Sequence, residues 1–277
     1  MPVVTPALAL IIFVAGAIAG SLGALLGLGG GIFLVPFLNL GLSFPIAAAA
    51  AISLTTVIAT SSSVSAGRAG KQLINMRLGM LLEVATAAGS LLGGVTAQLL
   101  AQSTVQKLFG VTTVTVAVIM LSRLQRRNVI LDPSADPGLL GGRFYEEESA
   151  ATVTYRVRRL PVALAASFVA GNLSSLLGIG GGFIKVPVLN AWCGVPIRAA
   201  AATSAFMIGV TATAGAVIYY GRGQIIPILA AAAVLGVQLG SWGGMRFGQK
   251  TSVMWLKVLM ACILGVVSVL MFVRASH

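Results

Sequence analysis

GSLGALLGLGGGIFLVPFLNLGLSFPIAAAAAIS, residues 20–53, returns 151 positions later as GNLSSLLGIGGGFIKVPVLNAWCGVPIRAAAATS, residues 171–204. Aligned without a gap, 19 of the 34 positions are identical. They include the pairs Gly27/Gly178, Pro36/Pro187, Asn39/Asn190 and Pro45/Pro196, and the triplets Gly29, Gly30, Gly31 and Gly180, Gly181, Gly182. Both copies sit inside apolar runs. Glycine and proline at matched places in two halves of a membrane chain mean helices broken twice, and such breaks are a sequence-level pointer to a substrate site between repeats. The stretch predicts an all-α, polytopic transmembrane helical protein made of two internal repeats with broken or re-entrant helices.

Composition agrees. The chain has 277 residues, 57% hydrophobic and 9% charged, with a mean hydropathy of +1.00. A soluble domain has too little interior to hide that much apolar surface. No Lys, Arg, Asp, Glu or His occurs before Arg68. Since a span needs ~20 apolar residues, this lead region holds more than two. A cleaved signal peptide is not expected, because the first residues lack a basic n-region and the apolar stretch runs on. The net charge of +12 comes from bases scattered at helix ends without interleaved aromatics, which fits retention of cytoplasmic loops rather than nucleic-acid binding. Cys193 and Cys262 lie in apolar surroundings, without the spacing of a disulfide framework or a zinc site.

Apolar runs fall at 7–40, 46–66, 78–100 and 106–122, then at 161–190, 197–220, 225–247 and 253–273. The division read from them is a first transmembrane repeat over 1–124, a cytoplasmic linker over 125–160 and a second repeat over 161–277. The linker, rich in Pro, Gly and charge, reads as an exposed, solvated loop. Residues 7–40 as one helix would reach about 50 Å, against a ~30 Å hydrocarbon core. The glycines therefore break it, into a hairpin that re-enters on its own side or into a span followed by a half-helix. Re-entry gives inverted repeats and puts 14 bases on one side against 3 on the other. A single crossing gives parallel repeats and a split of 12 to 5. The positive-inside rule favours inverted repeats with both termini outside.

A GLGGG sequence can suggest a dinucleotide loop, but that needs a preceding strand and an acidic residue ~20 positions on, and neither is present. The alternative is physical. A helix restarting after a glycine break has amides without intrahelical partners and a partial positive charge, which suits an anion. Two such starts, at Ile32 and Phe183, would converge on one anionic substrate. Against this stands simple close packing of small residues. Lys185, three positions after Gly182 and matched by Leu34 in the first copy, is a charge inside an apolar run and so a functional hypothesis; snorkelling to the headgroups is the competing reading. Glu83 is a candidate for proton coupling, or sits at a helix end paired with Arg77, the reading favoured from sequence. Asn39 and Asn190 hold unwound backbone or a ligand oxygen. Ser53, Thr203 and Ser204 open the following spans and cap backbone or line the path. The substrate-binding set read from sequence is Gly29, Gly30, Gly31, Asn39, Ser53, Gly180, Gly181, Gly182, Lys185, Asn190, Thr203 and Ser204. The structural helix breaks are Gly27, Pro36, Gly178 and Pro187. No catalytic residue, metal or cofactor is expected: the one histidine is His277, and no carboxylates are paired inside the spans.

The duplicated GxGGGxxxxPxL pattern, over 27–38 and 178–189, with an Asn just beyond and an Ala-rich helix after it, resembles the sulfite exporter TauE/SafE family of membrane transporters. The likeness covers both halves. The second copy is similar to bacterial and archaeal members described only as probable membrane transporters. The resemblance implies two repeats of about four hydrophobic segments and movement of small sulfur-containing anions such as sulfite, thiosulfate, sulfoacetate and other organosulfonates. The expectation is a secondary transporter, an exporter in direction, working in the cell inner membrane on a small anionic substrate. A passive anion channel, or a transporter of another small anionic metabolite, is the alternative.

Overall fold

The computed structural model describes residues 5–26, 29–68, 73–122, 136–146, 151–247 and 253–276. It is a helical bundle with one small β-hairpin. In chain order the helices are α1 (Pro6–Leu26), α2 (Gly31–Pro36) with a π-helical turn (Phe37–Gly41), α3 (Ile46–Arg68), α4 (Met76–Leu99) and α5 (Gln102–Ser122). After β1 (Gly142–Glu146) and β2 (Ala151–Tyr155) come α6 (Leu160–Leu177), α7 (Gly182–Ala191), α8 (Ile197–Gly221), α9 (Pro227–Phe247) and α10 (Val253–Ser276). Six of these are long and apolar enough to cross a membrane: α1, α3, α4, α6, α8 and α9. The chain is a multi-pass membrane protein.

Both long apolar runs break where the glycines fall. α1 ends at Leu26 and α6 at Leu177, and short helices start at Gly31 and Gly182, one residue before the starts read from sequence. Gly29 and Gly180 occupy the same left-handed conformation, with φ of 75° and 72°, which costs a glycine little and other residues 1–2 kcal/mol or so. Pro36 has no N–H to give to the helix, and the turn after it widens, with Leu42 N–H reaching Phe37 O. Gly27 lies outside the described residues.

Small residues set the helix pairs. Gly236, Gly240 and Gly244 on α9 lie on the backbone of Phe13, Ala17 and Ser21 on α1, so a Cβ at any of them would collide with a carbonyl. Gly89 and Gly93 on α4 meet Phe168 and Asn172 on α6 in the same way. Without water to drive helices together in lipid, such close backbone approach is what dispersion contacts require.

These contacts also fix direction. Matching steps of four run the same way along α1 and α9, and along α4 and α6. Ser63 reaches Gln238 and Gly67 meets Met245, so α3 runs with α9. Gly79 meets Thr203 and Met207 while Gly94 meets Ile218, so α8 runs with α4. Ser61 contacts residues 205–209, while the earlier Ala50, Leu54 and Val57 share a cluster with Ile208, Ala212, Ala216 and Tyr219. α3 and α8 are therefore antiparallel. The six long helices form two sets, α1, α3, α9 and α4, α6, α8, running oppositely. Because α1 and α3 run the same way, α3 begins at the end from which α1 began.

The linker is not wholly an exposed loop. β1 and β2 pair antiparallel, Phe144 opposite Val153, and Phe144, Val153 and Tyr155 are buried among Leu78, Leu82, Ala163, Leu189 and Cys193. Phe144 and Tyr155 meet as a tilted ring pair with centroids 6.3 Å apart, a geometry aromatic quadrupoles favour. The alternation in ATVTY, residues 151–155, is the strand signal that a loop reading passes over.

Candidate functional site

The two glycine turns touch. A Cβ on Gly31 would lie 2.5 Å from Gly178 O and 2.5 Å from Ser53 Oγ. Ser53 Oγ donates to that Gly178 carbonyl at 2.5 Å. Gly178 ends α6 with φ of 71°, and its carbonyl is one of those a helix terminus leaves unpaired. A hydroxyl of α3 thus closes the end of α6, tying one half of the chain to the other. Gly178 also packs against Ala50 on the same helix α3; the Ala50 Cα would be 2.6 Å from any added Cβ. Gly29 faces Val57 and Ile208, near the middles of α3 and α8. Gly30 rests on Ala19 and Gly181 on Ala170. Ser204, the match of Ser53, is fully buried with no hydrogen-bond partner.

Asn39 and Asn190 do the same local job. Asn39 Nδ2 donates to Phe44 O at 2.8 Å and Asn190 Nδ2 to Val195 O at 3.0 Å, each five residues on. Asn39 Oδ1 also accepts from Gln106 Nε2 on α5 at 3.0 Å. Both side chains pin the turn that follows each short helix. That turn uses Ser43 (φ 53°) in the first copy where the second has Gly194 (φ 73°). Pro36 and Pro187 lie within α2 and α7. Thr203 Oγ accepts from Asn75 N–H at 2.9 Å, and the Asn75 side chain caps α4 through Leu78 N–H. Asn75 Nδ2 also donates to Leu140 O and to Tyr155 Oη. Burial pushes the Tyr155 phenol above its ordinary range, only partly offset by the bond from Asn75. Thr203 thus joins α8 to the start of α4 and, through Asn75, to the hairpin.

Lys185, one turn into α7, is 1% exposed. Its stem curls over Gly181, whose added Cβ would come 3.1 Å from Lys185 Cε. Nζ donates to Thr211 Oγ on α8 at 3.2 Å. The Thr211 hydroxyl in turn points to Glu83 Oε1 on α4 at 2.8 Å, with Met207 O at 3.1 Å as its other acceptor. Nζ stands 3.9 Å from Glu83 Oε2, an ion-pair distance too long for a hydrogen bond. Glu83 Oε2 has no hydrogen-bond partner. An ammonium has three donors and a carboxylate accepts at both oxygens. The pair is therefore neutral as a unit but incompletely bonded.

Snorkelling does not describe Lys185: its head is enclosed by α7, α8 and α4. Glu83 does not pair with Arg77 either, as its proposed place at a helix end required; its partners are Lys185 and Thr211. Sequence alone put Lys185 and Glu83 102 positions apart with no reason to join them, and Thr211 was missed altogether. A hydroxyl in mid-helix on α8 was the available sign. Deeper along the same face, Ser90 Oγ and Ser175 Oγ lie 2.5 Å apart, Ser90 donates to Thr211 O, and Tyr219 donates to Ser175 O. A polar strip thus runs from Glu83 between α4, α6 and α8. Cys193 is a buried free thiol. Among the described residues no cluster of metal-ligating side chains occurs.

The chain belongs to the sulfite exporter TauE/SafE family, whose sequence profile matches residues 12–271. It is 27% identical over 261 residues to "Probable membrane transporter protein YunE" of Bacillus subtilis (strain 168), covering 92% of this chain and 93% of that one. It is 25% identical over 277 residues to "Probable membrane transporter protein MJ0441" of Methanocaldococcus jannaschii, covering 94% of each. No solved structure matches the chain. Fold, family and relatives agree that this is a membrane transporter.

Proposed function

We propose that this member of the family is a secondary transporter of small sulfur-containing oxyanions, sulfite or an organosulfonate, working as an exporter in the cell inner membrane. The observation that carries the reading is Lys185: a buried ammonium on a helix that restarts at a glycine break, with donor capacity left over. The α7 start adds amides and a partial positive charge to it. Gly180, Gly181 and Gly182 let a ligand approach the backbone, and Gly29, Gly30 and Gly31 with Ser53 form the opposite wall. Ser204 and Thr203 line the α8 side, and Asn39 and Asn190 hold the two turns in shape. The antiparallel course of α3 and α8, which follow the two copies of the repeat, supports inverted halves related by an axis in the membrane plane. In that arrangement a central site faces either side by movement of one half against the other.

A thermal-shift screen of the purified protein against sulfite, sulfate, thiosulfate, sulfoacetate and taurine tests the reading. A ligand that binds the folded state alone stabilises it, by about 2.7 kcal/mol at a hundred times its Kd. At least one oxyanion should raise the melting temperature of wild type clearly more than that of Lys185→Ala at the same concentration. No shift with any of the five, or equal shifts in both proteins, contradicts the site.

A further inference from the structure

We propose that each anion is carried together with one proton, taken up by Glu83 when the anion displaces its carboxylate from Lys185. The inference rests on the anion reading above, adds the coupling ion and the stoichiometry, and makes export run down the anion's own gradient, since a proton carried outward moves against the inward proton gradient of such a membrane.

The argument is one of charge conservation in a dry site. Lys185 and Glu83 stand 3.9 Å apart and cancel. An anion seated on Nζ would leave two negative charges facing one positive charge at low dielectric, an imbalance that proteins avoid by protonating one acid. The carboxylate is already arranged for this. Oε1 keeps its bond from Thr211, while Oε2, buried and without a hydrogen-bond partner, is the free position for the proton. The side chain keeps 12% of its surface exposed. The step balances: one proton from solvent forms an O–H bond on Oε2, the Lys185–Glu83 pair opens, and a Lys185–anion pair replaces it. Release reverses both events on the far side, because the Lys185–Glu83 pair re-forms only after anion and proton have gone. For a monoanion the loaded and empty sites carry the same net charge.

The other charged groups on the surrounding elements stand at helix ends: Arg77 on α4, Arg159 before α6, Lys107 on α5, and Arg198 and Arg222 at the ends of α8. Tyr219 on α8 donates to the Ser175 carbonyl, and Cys193 follows α7 as a buried thiol. Glu83 makes its ion pair with Lys185 and its hydrogen bond with Thr211. The proton-linked exchange thus belongs to this pair.

The test is proton uptake on binding, with the monoanions ethanesulfonate and methanesulfonate as probes, since neither titrates between about pH 6 and 8 and any proton taken up belongs to the protein. Titration calorimetry of the full-length protein in buffers of different ionisation enthalpy counts the protons. The expected result is one proton per anion and an affinity that strengthens about tenfold per unit fall in pH toward the acid end of that range. In Glu83→Gln the count should fall to zero and the pH dependence should vanish. Binding by wild type without proton uptake overturns the coupling and leaves the anion site standing. Uptake that persists in Glu83→Gln overturns the assignment to Glu83. If neither probe binds folded wild type at any pH, the anion site and the coupling fall together. Should Glu83→Gln not fold, the wild-type proton count decides the coupling by itself.

Discussion

Lys185 stands where the first copy of the repeat has Leu34, and Glu83 where the second half has Val234. The charge pair therefore belongs to one assembly of helices only, although its hydroxyl, Thr211, has a counterpart in Thr60. Lys185→Ala removes a charge-assisted contact of ~1.5–3 kcal/mol, a loss of one to two decades in anion affinity. Leu34→Ala changes packing and should leave that affinity nearly unaltered; binding isotherms on both variants check the contrast. Lys185→Arg should not restore binding, since the larger planar guanidinium does not fit the space beside Gly181. Ser53→Ala leaves the Gly178 carbonyl buried without its donor and should cost about 1–3 kcal/mol of stability, read as a lower melting temperature in detergent. Lys185 was legible in the sequence because a charge in an apolar run is conspicuous. Its partner was not, since pairing across α4 and α7 depends on packing that no local pattern encodes.

At the scale of elements, α1 and α9 approach through Gly236, Gly240 and Gly244. Gly240→Ala places a methyl group on the Ala17 carbonyl and should destabilise the protein by about 1–3 kcal/mol. Gly243, three residues on, has nothing within 4 Å of an added Cβ, and Gly243→Ala should be neutral or slightly stabilising, by up to ~1 kcal/mol. Thermal melts of the two variants decide whether close backbone contact holds this pair. The breaks between α1 and α2 and between α6 and α7 were readable because glycine and proline punctuate helices wherever they fall. The hairpin was not read, since two five-residue strands inside a charged linker look like solvated chain. Burial of Phe144 and Tyr155 against α4 and α6 is a tertiary fact.

For the whole molecule, direction is the decisive property. The three candidate spans of the first half, α1, α3 and α4, run opposite to their counterparts α6, α8 and α9. In the proposed inverted arrangement the hairpin end of the linker and the α8–α9 turn lie on opposite faces of the membrane. Single cysteines at Tyr145, 60% exposed, and at Arg222 should therefore label from opposite sides in a background lacking Cys193 and Cys262. Labelling of both from one side contradicts the topology. The sequence indicated this layout through the distribution of its bases, a statistical signal, whereas the helix directions come from contacts such as Ser61 with Ala205.

The central claim is that an oxyanion is carried at Lys185, and counterflow of labelled sulfite in proteoliposomes tests it most directly. Wild type should show saturable exchange faster than net flux, and Lys185→Ala at equal protein density should need a sulfite concentration about ten- to a hundredfold higher for half-saturation. Flux that does not saturate, or a Lys185→Ala protein that exchanges sulfite with unchanged affinity, would contradict the account.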